Sequence, residues 1–288
     1  MASLLTLKRR IKTTSNISKT TKAFQMIAAS RLKKAQNAAE ASQPYVQKLD
    51  NISKNLAQKI EDTQMHEYMK INPQTNDKLL IVISPDKGLC GGLITNLIRE
   101  VLHYSTNGKI YYITIGKKAE TTIASLNKNI VASFPFGTSL PEFDIVYPVA
   151  KLVNEYFLGK KVSEVKILST KFNSVFTQSP GLSNLLPVVL DTDETKEKVS
   201  TSVVTLFEPN VEKLLPDLLQ HYLEMVIYQS LLESYASEQA SRMIAMKNAT
   251  DNALDMISEL QLEYNKSRQE KITNELLDIG GGAIGESI

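Results

Sequence analysis

Both ends of this chain read as helices with almost nothing to interrupt them. Between residues 3 and 61 only Pro44 is able to break a helix, and between 209 and 279 only Pro216. Segments of about 58 and 70 residues would run roughly 85 and 105 Å, farther than a small domain is wide. Neither helix can bury itself in a core built by the middle of the chain, so the two must bury against each other. The expected fold is α/β: a long antiparallel coiled coil of the N- and C-terminal helices, with a central open-sheet, Rossmann-like domain between them. The boundaries fall at 1–61, 77–207 and 208–288.

Composition narrows what such a chain does. Of its 288 residues 42% are hydrophobic and 22% charged, and no apolar run approaches the ~20 residues of a membrane span. The chain is expected to be soluble and not to cross a membrane. Its single cysteine, Cys90, excludes an internal disulfide and reads as packing in a tight loop rather than as a nucleophile. One cysteine and the scattered His66, His103 and His221 have no zinc-ligand spacing.

The net charge of +2 conceals an asymmetry, because Lys8, Arg9, Arg10, Lys12, Lys19, Lys22, Arg31, Lys33 and Lys34 all precede the first acid, Glu40. Three readings compete for this stretch: an organellar targeting peptide, a nucleic-acid-binding helix, and a helix whose basic face meets an acidic protein. On charge alone they stand level. Periodicity favours the protein partner, since a seam spaced by alternating fours and threes runs through Ile17, Thr21, Phe24, Ala28, Arg31, Ala35, Ala38, Ser42, Tyr45, Leu49, Ile52 and Leu56. Its small residues predict close helix approach, and Pro44 predicts a bend near Tyr45. The C-terminal helix has a matching stripe: Leu218, Tyr222, Met225, Gln229, Leu232, Ala236, Gln239, Met243, Met246, Thr250, Ala253, Ile257, Leu260 and Tyr264. Beyond Tyr264 the stripe turns polar, which predicts a stretch that outruns its partner helix and meets something else.

Short apolar runs alternate with helical patterns in the middle, as in an open α/β sheet. Strands are expected at 78–84, 109–115, 131–136 and 164–172, and helices at 92–104, 116–126 and 147–158. An edge hairpin is expected from 175–178 and 187–190, with 179–184 as its turn and 191–198 as an exposed loop. The glycine-rich loop 85–92 (PDKGLCGG) follows a strand and opens a helix, where α/β folds often bind phosphate. It matches neither GxxxxGK[ST] nor GxGxxG, so its glycines read as serving a tight turn. No nucleophile, base and acid triplet stands out, and no paired carboxylates. A nucleotide-using enzyme would need the missing phosphate cradle. A nucleic-acid binder would need aromatics interleaved with its surface cations.

Three stretches carry a resemblance: KRRIKTTSNISKTTKAFQMIAASRLKKAQ (8–36), SPDKGLCGGL (84–93) and ESYASEQASRMIAMKNATDNALDMISELQLEYNKSRQEKITNELLDIGGGAIGE (233–286). They resemble the gamma subunits of rotary F-type ATP synthases, over essentially the whole chain. The resemblance implies a central shaft standing inside a ring of three alpha and three beta subunits. Its α/β body forms a foot that sits with the epsilon subunit on the membrane-embedded c ring. Proton-driven turning of that ring rotates the shaft, while nucleotide chemistry belongs to alpha and beta. No catalytic residue, cofactor, metal or nucleic acid is implied. Membrane association comes only through the complex, at the cytoplasmic side of a cell inner membrane or plasma membrane. The basic N-terminus matches the family's mature start, an expectation of a bacterial chain without a presequence.

The same resemblance assigns residues. Arg268, Gln269 and Thr273 match the set that hydrogen-bonds the alpha and beta loops that catch the shaft. Lys22 and Phe24 match positions facing the beta subunit's acidic lever, with Phe24 where methionine is usual and Gln25 where a charge is frequent. Glu208 matches a position against the polar loops of the c ring. Gly280, Gly281, Gly282, Ala283 and Ile284 resemble the family's C-terminal tip. The cysteine-bearing insertion of plastid relatives is absent, which predicts no thiol regulation.

Overall fold

A computed structural model describes residues 3–57, 66–70, 72–188 and 211–285. The chain divides into two compact units, one of Met1–Ala28 with Arg242–Ile288 and the other of Ala29–Ser241. Two helices contribute to both: α1, Leu4–Ala57, with Pro44 inside it, and α5, Val211–Gly285, with Pro216 inside it. The C-terminal helix outruns the expected end at 279 and continues through Gly280–Gly282.

Unit Ala29–Ser241 is built on a five-stranded sheet. Its strands are β1 (Lys78–Ile83), β2 (Ile110–Ile115), β3 (Asn129–Phe134), β4 (Glu164–Phe172) and β5 (Gln178–Leu186), in the spatial order β3-β2-β1-β4-β5. The first four are parallel and β5 is antiparallel to β4. The run KLLIVI of β1 is buried on both faces from Leu79 to Ile83, as a central parallel strand requires. Helices α2 (Leu93–His103) and α3 (Lys117–Ser125) supply Leu97, Val101, Ala119 and Ile123 to one core, against Leu80, Val82, Tyr112 and Leu168. A further helix, α4 (Val146–Phe157), buries Val146, Val149, Ala150, Val153 and Phe157.

One sequence expectation fails here. Residues 179–184 are not a turn but the body of β5, from Lys171↔Ser179 to Lys166↔Asn184, and the turn is 173–177, where Ser174 and Thr177 exchange backbone hydrogen bonds of 3.0 and 3.3 Å. Pro180, Gly181 and Ser183 misled the reading. An edge strand tolerates Pro and Gly because one side of its ladder has no neighbour to satisfy. Residues 189–210, with Glu208 and the expected loop 191–198, lie outside the described residues.

Where β1 gives way to its loop, Ser84 Oγ accepts the Ala119 N–H at 2.8 Å, and the Asp86 carboxylate accepts from the backbone N–H groups of Lys117 and Gly137 at 2.8 Å each. Gly116 lies at φ +103°, and a Cβ there would come within 1.9 Å of the Ser84 carbonyl oxygen, so only glycine fits. The loop after β1 is therefore tied to the loops after β2 and β3.

Helix α5 closes this same end of the sheet. Pairing of β4 with β1 stops at Val82↔Leu168. Two residues on, the Thr170 backbone is served by α5 instead: Ser234 Oγ accepts its N–H at 3.3 Å and the Ser237 hydroxyl donates to its carbonyl at 3.1 Å. Ser241 donates to the Cys90 carbonyl at 2.6 Å, Tyr235 to that of Thr138 at 3.1 Å and Tyr228 to that of Pro141 at 3.4 Å. Phe136 packs edge-on against Tyr235.

The helix pairing corrects the N-terminal seam. In unit Ala29–Ser241 the less exposed positions of α1 include Leu32, Ala35, Ala38, Ala39, Ser42, Val46, Leu49 and Ser53, so Ala35, Ala38, Ser42 and Leu49 are as expected, whereas Arg31, Tyr45 and Ile52 give way to the residue one position later. The shift buries Leu32 in place of Arg31 and draws Val46 farther in than Tyr45, which stays half-exposed and touches the partner helix at His221. Burying Arg31 would strand a charge without a partner, a cost larger than leaving one aliphatic side chain in water.

Two predictions follow from the sheet. Thr114 is fully buried in β2, and its hydroxyl has no partner among the described residues. Thr114→Val, which replaces that hydroxyl with a methyl, should therefore raise stability by about 1 kcal/mol in urea unfolding; a loss would show that the hydroxyl is satisfied. Burial alone would raise the pKa of Glu164, but Lys78 and Lys166, at 2.6 and 3.0 Å, overcome it and hold the carboxyl below 4.5. The stability this adds is complete above the unfolded pKa and lost as pH falls through the folded one. The stability gap between wild type and Glu164→Gln should thus be constant from neutral pH down to about 5 and close below about 4; a gap independent of pH would remove Glu164 as its source.

Candidate functional site

The other unit, Met1–Ala28 with Arg242–Ile288, is an antiparallel helix pair. Along α1 the less exposed residues include Leu7, Ile11, Thr14, Ser18, Thr21, Gln25 and Ala28, spaced by fours and threes, with Leu4 and Ser15 beside them. Along α5 they include Met243, Met246, Thr250, Ala253, Ile257, Leu260, Tyr264 and Ser267, which follow the expected stripe. Thr21 and Thr250 meet hydroxyl to hydroxyl at 2.7 Å; Thr250 also reaches the Met246 carbonyl at 2.8 Å, and Thr21 that of Ser18 at 3.0 Å. Two hydroxyls sharing one contact fix the register of a seam whose side chains are too small to interlock deeply.

With the seam in this register, the expected seam residues Ile17 and Phe24 turn outward, 50% and 45% exposed, beside Met26 and Ile27. Lys22 is exposed and borders a groove with Ser18, Lys19, Ala23, Met26, Asp251 and Leu254. A second groove brings Arg9 and Arg10 alongside Thr6, Thr13, Met256 and Leu260. These are amphipathic surfaces, with cationic heads over exposed methyl and methylene groups, of the kind that meets an acidic partner carrying its own apolar anchors.

Arg268, Gln269 and Thr273 are exposed, and the Thr273 hydroxyl donates to the Gln269 carbonyl at 2.9 Å. From Lys271 to Leu277 every residue is exposed, including Ile272, Leu276 and Leu277. The structure does not bring Arg268 and Lys22 together: Lys22 lies beside Thr250, and Arg268 is about 27 Å farther along α5. They form two patches, one on the paired helices and one where α5 has left α1 behind.

In the other unit, α1 and α5 carry pairs that the heptad reading missed. Tyr45 OH meets His221 Nε2 at 2.9 Å, and the Tyr222 hydroxyl bonds the Asp50 carboxylate. Burial, reinforced by Asp50, raises the Tyr222 pKa and keeps its proton in place. Tyr45 and Tyr222 lie in the expected stripes, but periodicity marks them only as packing residues; His221 and Asp50 lie off those stripes, and only their reach as polar side chains on adjacent helices hints at the pairing.

Among the described residues no group of His, Cys, Asp and Glu is placed to hold a metal, and no helix is long and apolar enough to cross a membrane. The fold defines a helix-pair protein with an inserted α/β sheet. Residues 3–284 match the family model described as ATP synthase. The chain is 38% identical over 286 residues to the ATP synthase gamma chain of Dehalococcoides mccartyi, covering 98% of this chain and 99% of that one. It is 36% identical over 288 residues to the gamma chain of Ruthia magnifica, with the same coverage of 98% and 99%. The chain belongs to the ATP synthase gamma chain family. Among solved structures, the central stalk and c-ring of the Tetrahymena thermophila mitochondrial ATP synthase matches with a TM-score of 0.60 at 25% identity, over 80% of this chain and 98% of that one. A chain of the Euglena gracilis mitochondrial ATP synthase rotor shares the fold with a TM-score of 0.68 at 17% identity, over 93% and 98%.

The hydroxyl pair has a measurable consequence. Thr250→Val alone should destabilise the chain by no more than about 1 kcal/mol, because Thr21 loses its cross-helix partner but keeps the Ser18 carbonyl as an acceptor, whereas Thr21→Val with Thr250→Val should return close to wild type. Thermal unfolding of both variants decides this; additive losses would mean that the hydroxyls do not act as a pair.

Proposed function

We propose that this chain is the central rotating shaft of an F-type ATP synthase, carrying torque between a proton-driven c ring and a hexamer of three alpha and three beta subunits. As a gamma chain it is a subunit of an ATP synthase complex. The observation that carries the proposal is the full-length match to gamma chains, combined with a helix pair whose outer faces keep cations and large apolar groups exposed. A ring of subunits enclosing those faces would bury them.

In this reading Arg268, Gln269 and Thr273 are gripped by the alpha and beta catch loops, with the Arg268 guanidinium offering a two-pronged bond to a carboxylate. Lys22 and Phe24 meet the acidic lever of beta, and Glu208 meets the polar loops of the c ring. The epsilon subunit joins the foot. The chain itself is non-catalytic. In doubly wound folds ligands bind in the crevice outside the carboxyl ends of the strands; here the serine and tyrosine hydroxyls of α5 are bonded to the backbone at that end, which supports a structural rather than a nucleotide-binding role. The proposed location is peripheral, on the cytoplasmic side of a cell inner membrane or plasma membrane, with attachment only through the complex.

Reconstitution tests this. Mixed with purified alpha and beta subunits, the chain should co-elute as one copy with three of each and restore ATP hydrolysis, and the isolated chain should bind no nucleotide. Arg268→Ala with Gln269→Ala should weaken co-elution or lower hydrolysis several-fold, and Arg268→Lys should recover only part of the loss. Absence of a complex, with nucleotide or DNA bound by the chain alone, would overturn the reading.

A further inference from the structure

We infer that the polar face of α5 between Tyr228 and Ser241 is a rotational lock, the set of bonds through which the sheet and α5 turn as one. The inference rests on the proposed shaft role and adds to it the residues through which torque crosses between the sheet and the helix.

Apolar side chains packed around a helix resist its turning only through shape, because dispersion contacts are non-directional and can be re-formed by repacking. Hydrogen bonds are directional and weaken steeply as they bend. Around α5 they come from two azimuths. At about 100° per residue, Ser234, Ser237 and Ser241 cluster on one side, and Tyr228 and Tyr235 lie roughly 140° away. The serines hold Thr170 in β4 and Cys90 in the loop after β1; the tyrosines hold Thr138 and Pro141 in the segment after β3. All the groups they hold are backbone, which cannot swing to follow a turning helix as a side chain can. The loop carrying Cys90 is itself tied by Asp86 to Lys117 and Gly137. A turn of α5 in either sense must therefore stretch bonds on both sides at once. α1 covers the remaining side, where Gln229 reaches the Ala39 carbonyl at 3.5 Å.

The test uses the whole ATP synthase in membrane vesicles, with two readouts: ATP hydrolysis by the detached alpha, beta and gamma complex, and ATP-driven proton pumping by the intact enzyme. Hydrolysis without load does not need torque to cross the sheet, whereas pumping does. Ser234→Ala, Ser237→Ala and Ser241→Ala together should leave hydrolysis near wild type and lower protons pumped per ATP several-fold. Tyr228→Phe with Tyr235→Phe, which keeps both rings, should lower the same ratio less. An unchanged ratio in both variants would overturn the lock. If the triple variant does not assemble, Ser237→Ala alone decides between a reduced and an unchanged ratio. A wild-type complex that neither hydrolyses nor pumps would instead refute the shaft reading beneath it.

Discussion

From Leu231 to Ala240 every residue of α5 except Glu233 is buried, and the rest of the protein depends on that ten-residue stretch. A helix covered on all sides is usually apolar all round. This one carries Ser234, Ser237, Glu238 and Gln239 inside, and its serines are tolerated because the strand and loop ends beside them have open backbone groups of their own. Each satisfies the other. The β4 strand can outrun β1, and the loop after β1 can present the Cys90 carbonyl, because hydroxyls arrive at fixed heights along a rigid helix to receive them.

The two helix-pair regions solve different problems with one periodicity. In the unit that contains the sheet, Leu32, Ala35 and Leu49 provide an apolar seam with a large core beside it. In the other unit the seam has Thr14, Ser18, Thr21 and Gln25, while Ile17, Phe24, Met26, Leu254 and Met256 face outward. That inversion sacrifices stability if the helix pair stands alone, since burying threonine and serine yields little and exposing isoleucine and phenylalanine forfeits more. It becomes favourable when a surrounding protein covers the outer faces, and large exposed apolar groups interspersed with lysine and arginine are what such a surface consists of.

How far the sequence discloses this varies by element. The C-terminal stripe is fully legible from Met246 to Tyr264, because a long run averages over local exceptions. The N-terminal seam is legible at Thr21, Ala28, Ala35, Ala38, Ser42 and Leu49 but not at Ile17, Phe24, Arg31, Tyr45 and Ile52: apart from Gln25, the positions one residue later also carry small or apolar side chains, and the cost of burying Arg31 is the clearest separation of the two registers. Strand β5 is hidden by Pro180 and Gly181, residues that signal a turn in isolation and an edge strand in context. The serine ladder of α5 is visible at steps of four, three and four from Ser230 to Ser241, but nothing local reveals that backbone groups distant in sequence wait opposite it. Of the candidate site, the patch at Arg268 was identified by resemblance rather than by pattern, since an exposed polar helix face gives no periodic signal.

The glycine-rich loop shows most directly how one fold excludes one use by adopting another. Loop 85–92 follows a buried parallel strand and precedes a helix, as a phosphate-binding loop does. To cradle an anion it would need room at the carboxyl ends of the strands. Instead Asp86 is spent on the backbone of the neighbouring loops, placing a carboxylate where an anion would be repelled, and Ser241 holds the Cys90 carbonyl at 2.6 Å. The Asp86 carboxylate fastens the neighbouring loops to one another, and the Cys90 carbonyl fastens α5. A sheet used this way gives up a binding crevice and gains a rigid seat for a helix, and a helix that must carry load needs the seat more than the sheet needs a ligand.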